Sequence, residues 1–265
     1  SAHTGSGSVR GIMATTMTAP SIGSTKSLRR RPALDHDVAM RLAATEYERT
    51  LEMLRQIDYW QAPTECPAWD VRELAAHVVG MAELWSTNRE FVHQMRLTGK
   101  AGVDDMTALQ VRERAEVSPA ELIERLQKAA PRAARRRHRF SRVMGRRLLP
   151  TAQDMPDGVE WWSFGYLTDT ILTRDPWMHR VDLSRASGLR LRLTDDHDGV
   201  IVADVVAEWA QRHGQPFRLT LTGPAGGSWQ VGSASEDIEI DAIEFCRTVS
   251  GRRKGEGLLS VHVPF

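Results

Sequence analysis

The chain of 265 residues is long enough for one large domain or two ordinary ones, and 41% hydrophobic with 26% charged residues is a globular composition. Its 35 basic and 34 acidic residues leave a net charge of +1, which argues against a uniformly basic nucleic-acid or membrane-surface protein but conceals an uneven distribution. No run approaches the roughly 20 apolar residues of a membrane-spanning helix, and two cysteines, Cys66 and Cys246, form neither a disulfide scaffold nor a C-x-x-C pair.

In chain order, residues 1–32 come first: rich in Ser, Gly, Thr and Ala, with five basic residues and no acid. Such a segment buries no core and is expected to be a disordered leader, its SAHTGSGS opening resembling a tag remnant. It lacks the apolar stretch of a signal peptide, so the expected location is cytoplasmic. Residues 33–189 then read as helical. Leu34, Val38, Leu42, Leu51 and Leu54 lie on one stripe, predicting a helix to about Asp58. A loop with Pro63 and Pro67 leads to Asp70, which with Glu73 three residues later makes a capping-box start for a second helix. Ser118-Pro119-Ala120-Glu121 repeats that signal for a third, which runs into eight arginines between 132 and 147. A fourth is predicted over about Trp161 to Ser187, and four long helices joined by loops make a bundle. Residues 190–265 change character. A helix over Asp198 to Arg212 precedes strands at 216–222, 228–231 and 237–240, a helix over 241–249 and a closing strand at 258–263, a small α+β domain. The fold class is therefore mainly α with an α+β C-terminal domain.

Polar residues on apolar faces carry the chemistry. His77 lies three residues after Leu74 and four before Met81, on their inward face. Asp175 and His179 are spaced i, i+4, one turn apart on a common face. By themselves these are equally a buried histidine with a satisfied hydrogen bond and a surface Asp–His pair. Taken together, two imidazoles and a carboxylate make a divalent-ion site with coordination positions left open. Asp182, three residues after His179, either orients that imidazole or pairs with Arg185. Pro176 complicates the pattern: it either kinks the helix or makes Asp175 an N-cap.

The segment CPAWDVRELAAHVVG, Cys66 to Gly80, resembles the first signature of mycothiol-dependent maleylpyruvate isomerase-like proteins, within the DinB-like superfamily. LTRDPWMHRVDLSRASG, Leu172 to Gly188, resembles the second, and the tail from Asp241 resembles that family's C-terminal domain. The resemblance implies a DinB-like four-helix bundle over 33–189 and a divalent metal, most often zinc, held by His77, Asp175 and His179, with aspartate where many members carry glutamate. It further implies a thiol cofactor, mycothiol, activated at the metal for attack on an electrophilic small molecule, by S-transfer or cis/trans isomerisation. Trp69 and Arg252 fall at positions the family uses near its cleft, Trp69 to contact substrate or staple its loop, Arg252 to grip a carboxylate or to remain a surface arginine. No protein cysteine is needed, so Cys66 and Cys246 read as packing residues.

Arg132, Arg135, Arg139, Arg142 and Arg146 recur at spacings of three and four. The stripe supports a rival reading, a non-enzymatic binding protein for an anionic partner such as nucleic acid with a vestigial metal site. With Phe140 as the single aromatic in the run, base stacking has little to work with, and a solvated helix face accounts for the same spacing.

Overall fold

The computed structural model describes residues 15–16, 28–98, 103–233 and 237–265. The expected leader, 1–32, lies largely outside them; of its residues, Thr15–Thr16 form a short strand, β1, and Leu28–Arg30 form β2. The chain divides into two compact units, one containing Leu193–Cys246 and β1, the other the described part of Ser24–Arg192 with Arg247–Phe265.

The larger unit is the bundle. Its four long helices are α1, His36–Leu54; α2, Val71–Ser86; α5, Pro119–Met144; and α6, Leu172–Ser187. They pack in a closed cycle, α1 on α5, α5 on α2, α2 on α6 and α6 on α1. Leu54, Leu74, Val78, Leu122, Leu126 and Leu183 are buried on the shared inner faces. The starts follow from local chemistry. Asp35 caps α1 by accepting from the N–H groups of Asp37 and Val38. Asp70 Oδ1 accepts from Glu73 N at 2.8 Å while Glu73 Oε2 accepts from Asp70 N at 3.0 Å, the reciprocal capping box of α2. Ser118 caps α5, with Pro119 in the first turn.

Two helices were not expected: α3, Asn88–Thr98, and α4, Val103–Glu113, both packed on α2. The predicted fourth helix also begins later. Its first residues form β4, Gly158–Trp162, antiparallel to β3, Gln153–Met155, across a turn that Gly158 enters at φ +132°, a value that favours glycine. β2 pairs parallel with the other side of β4, and Arg30 reaches Glu160 at 2.8 Å. A π-helical stretch, Tyr166–Ile171, then runs directly into α6. Pro176 sits inside α6, so the helix passes through it and Asp175 is not an N-cap.

The smaller unit contains a π-helical turn, Asp195–Gly199, then α7, Val200–His213, and strands β5, Phe217–Thr222; β6, Gly227–Val231; and β7, Asp237–Asp241. The sheet order is β1-β6-β5-β7, with β5 antiparallel to β6 and parallel to β7. The fully buried Trp209 meets Phe217 and Phe245 edge-on at 4.9 and 5.4 Å, forming the aromatic centre of this unit. Helix α8, Ala242–Val249, follows. The expected final strand is a 3-10 turn, Gly257–Ser260, with Val263 N donating to Val249 O in place of a ladder.

Candidate functional site

The site lies in the bundle interior, where α2 faces α6. The sequence Ala75-Ala76-His77 turns His77 to the inner face, and its side chain is 3% exposed. Asp175 and His179, one turn apart on α6, point at the same place: His77 Nε2 lies 3.7 Å from Asp175 Oδ2, and His179 Nε2 lies 3.2 Å from Asp175 Oδ1. One ligand atom from each of the three can be chosen so that all lie within 4.8 Å of one another. The three residues singled out from the sequence are thus brought together.

The outer nitrogens of both imidazoles are already engaged. On the His77 side a chain of buried amides fixes the tautomer. The Gly80 carbonyl can only accept, so the Gln94 amide donates to it at 3.1 Å and turns Oε1 toward Gln110. Gln110 Nε2 donates to that oxygen at 2.9 Å, which leaves Gln110 Oε1 facing His77 Nδ1 at 2.8 Å. His77 must therefore carry its proton on Nδ1 and present the Nε2 lone pair to the site. Gly80 makes the chain possible: a Cβ there would stand 2.5 Å from Gln110 Cγ. On the other side, His179 Nδ1 donates to Asp182 Oδ2 at 3.1 Å, and Asp182 accepts two further bonds, from Arg252 Nε and Nη2, both at 2.7 Å. Asp182 thus orients His179, while Arg185 pairs with Glu65. Arg252 reaches the site through Asp182.

The charges agree with this geometry. Burial pushes the Asp175 carboxyl upward, but the neighbouring His179, which also donates to it, and the nearby His77 hold it well below the usual carboxylate range. Burial pushes His179 down, and Asp175 followed by Asp182 raise it well above the usual imidazole range. Asp182 is likewise lifted by burial and brought down by its bonds to His179 and Arg252.

Trp69 closes one side, its ring centroid 5.2 Å from that of His77 and 6.4 Å from that of His179. Thr64 locks it there, donating through both N and Oγ1 to the Trp69 carbonyl. Cys66 Sγ lies 3.6 Å from Asp182 Oδ2, behind His179. The sequence pattern pointed to Asp182 but not to Gln110 or Gln94, which stand on helices too polar to show an inward stripe.

Two imidazoles whose Nε2 atoms converge on one carboxylate, their outer nitrogens held by hydrogen bonds inside a helix bundle, define a bundle protein with a candidate divalent-ion centre. The profile of the family described as "Mycothiol maleylpyruvate isomerase N-terminal domain" matches residues 40–184, more than half of the chain. The chain belongs to that family. Among solved structures, it is similar to the crystal structure of the mycothiol-dependent maleylpyruvate isomerase and to that of a histidine-to-alanine mutant of the same enzyme. Each match has a TM-score of 0.52 at 16% identity, covering 83% of this chain and 90% of the other. A sequence search among curated proteins finds no match. Among the described residues, no helix is long and apolar enough to cross a membrane.

Proposed function

We propose that the protein is a cytoplasmic, mycothiol-dependent metalloenzyme that activates the cofactor thiol for attack on an electrophilic small molecule, ending in S-transfer or in thiol-assisted cis/trans isomerisation. The observation that carries this reading is the convergence of His77 Nε2, His179 Nε2 and the Asp175 carboxylate, with both outer imidazole nitrogens already occupied. Family membership supports it, as does the name of the enzyme whose fold the chain shares. The donor set suits zinc. When bound, such an ion would supply the Lewis acidity that keeps a thiol ionised at neutral pH.

The chain's own residues do the rest. Gln110 and Asp182 hold the two imidazoles in the ligating tautomer and orientation. Arg252 balances the charge of Asp182, so that carboxylate accepts from His179 without taking its proton. Trp69 shields one face of both rings from water. Metal analysis of the purified chain, with mass spectrometry after incubation with mycothiol and a panel of electrophiles, tests the reading. Metal and thiol-dependent product are expected in the wild type, and both are expected to be lost in His77→Ala and His179→Ala. A wild type that takes up no zinc would end it.

The rival, an anion-binding protein, draws on the arginine stripe: Arg132, Arg135, Arg139 and Arg142 are exposed on α5, and Arg146 is exposed just past its end. Phe140, however, packs against Trp85 and Phe164, each at 5.3 Å, so the stripe offers no free ring to a base. Salt-dependent binding of nucleic acid that disappears on neutralising Arg135 and Arg139 would revive it.

A further inference from the structure

The chain of amides that fixes the His77 proton does not end at Gly80. Gln94 Nε2 carries two hydrogens, and while one goes to the Gly80 carbonyl, the other goes to Glu90 Oε1 at 2.9 Å. Gln110 Nε2 likewise places its second hydrogen, on Met81 Sδ at 3.0 Å. Both glutamines are fully buried, and every hydrogen of both amides has an acceptor. Four groups then stand in one line: the His77 imidazole on α2, Gln110 on α4, and Gln94 and the Glu90 carboxylate on α3. Each donates to the next, at 2.8, 2.9 and 2.9 Å, so the bond dipoles add in a single direction.

Glu90 is the member of this line that meets water. Its side chain is 28% exposed and borders a surface cavity of about 480 Å³, together with Glu83, His93, Glu113, Arg114 and Arg125. The neighbouring charges are turned elsewhere. Arg114 donates through Nε and Nη2 to Glu83 and through Nη1 to the Gln110 carbonyl, and stands 3.8 Å from Glu90, beyond hydrogen-bond distance. Glu113 pairs with His93 at 2.8 Å. The short side-chain bond of Glu90 is therefore the one to Gln94. A reversed Gln94 amide would turn its oxygen on two acceptors, one of them anionic, so Glu90 helps to set the direction of the whole line.

We propose that Glu90 is a positioning residue for the candidate centre: its carboxylate orients and polarises the two amides, so that the charge standing in the α3–α4 cavity is felt at His77. A hydrogen bond to an ionised acceptor is roughly twice as strong as a neutral one, and each bond in a chain strengthens the next. A carboxylate bonded directly to a ligating imidazole raises its basicity. Here two amides extend that device to a carboxylate that never enters the site. The inference deepens the metal-centre reading by naming what tunes it from outside, and it rests on that reading for the effect on ion affinity only.

The test reads His77 in the full chain freed of metal, apart from any thiol or turnover assay. By NMR of isotope-labelled histidine, the wild type is expected to hold His77 in its Nδ1–H form. Glu90→Gln keeps an acceptor oxygen and removes the charge. The His77 Nδ1–H resonance is then expected to move upfield, and zinc affinity to fall by about 3- to 10-fold, less than the roughly 10- to 100-fold lost with a direct partner of a ligand. Glu113→Gln removes the same charge from the same cavity but bonds to neither glutamine, and is expected to leave the resonance in place. After Gln94→Leu, which cuts the line, Glu90→Gln is expected to have no further effect on His77. If the Gln94→Leu chain does not fold, Glu90→Gln against Glu113→Gln decides alone. An Nε2–H tautomer in the wild type, an unmoved resonance in Glu90→Gln, an equal shift in Glu113→Gln, or an undiminished shift after Gln94→Leu would overturn the proposal. A wild type that takes up no zinc while its His77 resonance answers Glu90→Gln would end the metal reading and uphold the relay.

Discussion

Gln110 shows how a residue that never needs to touch a ligand can govern one. Its Oε1 is the acceptor that puts the His77 proton on Nδ1, and its own amide hangs from Gln94 and, through it, from the Gly80 carbonyl. Gln110→Leu preserves size but removes that acceptor, and is expected to lower zinc affinity by about 10- to 100-fold, as measured by competition with a chromogenic chelator. It also leaves Gln94 Oε1 without its donor, costing about 1–3 kcal/mol of stability in denaturant titration. Gly80→Ala reports on the same contact from the other side. In most exposed helices that change stabilises by about 1 kcal/mol. Here the added Cβ would meet Gln110 at 2.5 Å, so loss of zinc affinity with lower stability is expected. An unchanged affinity in both variants would show that the amide chain is packing alone.

At the scale of elements, the sequence was legible where a helix carried both a stripe and a start signal. α1, α2 and α5 have inward leucines or valines and a capping Asp or Ser, so their existence and their inner faces follow from spacing. α3 and α4 do not, because NREFVHQMRLT and VDDMTALQVRE alternate charge with isolated apolar residues and borrow their apolar surface from α2. The hairpin β3–β4 was hidden by its aromatic second strand, which continues into α6 as one apolar run, although Pro156-Asp157-Gly158 is a turn signal. The final Leu258–Val263 alternation failed for the opposite reason, since period-2 spacing without a neighbouring strand to pair with yields no ladder. The arginine stripe of α5 appears over Arg132 to Arg142, whereas Arg146, read as its last member, lies beyond Met144, where the helix ends. Arg139 has Arg135 one turn before it and Arg142 three residues after it, neighbours of like charge. Arg139→Glu turns both repulsions into attractions, and a gain of about 0.5–1 kcal/mol is expected at low ionic strength, shrinking as salt is added. A gain independent of salt would refute the charge account.

At the scale of the whole chain, the smaller unit carries an acid sensitivity of its own. In the smaller one, His213 accepts from Gln215 N at Nδ1, keeps its Nε2 buried without an acceptor, and packs edge-on against Trp209 at 4.3 Å. Burial lowers it from the usual 6.5 to about 4. The unfolded chain takes up the proton near 6.5, the folded chain only near 4, so stability conferred by the neutral ring is complete above 6.5 and falls as pH drops between those values. Histidine NMR should place the His213 midpoint near 4, and denaturant midpoints for this unit should decline over that window. His213→Gln should flatten the decline, and an NMR midpoint near 6.5 would contradict it. The site itself was only half visible in the sequence: His77, Asp175 and His179 stood out as polar residues on apolar faces, whereas Gln110 and Gln94, which fix the His77 tautomer, lie on helices with no inward stripe. The bond from Arg252 to Asp182 spans 70 residues of sequence and returns to the bundle after the smaller unit has intervened. On the ribosome, His77, Asp175 and His179 would therefore all emerge well before the arginine that steadies the last of them. A chain that ends before Arg252 lacks the donor of both guanidinium bonds to Asp182, so the brace behind His179 is completed only by the tail.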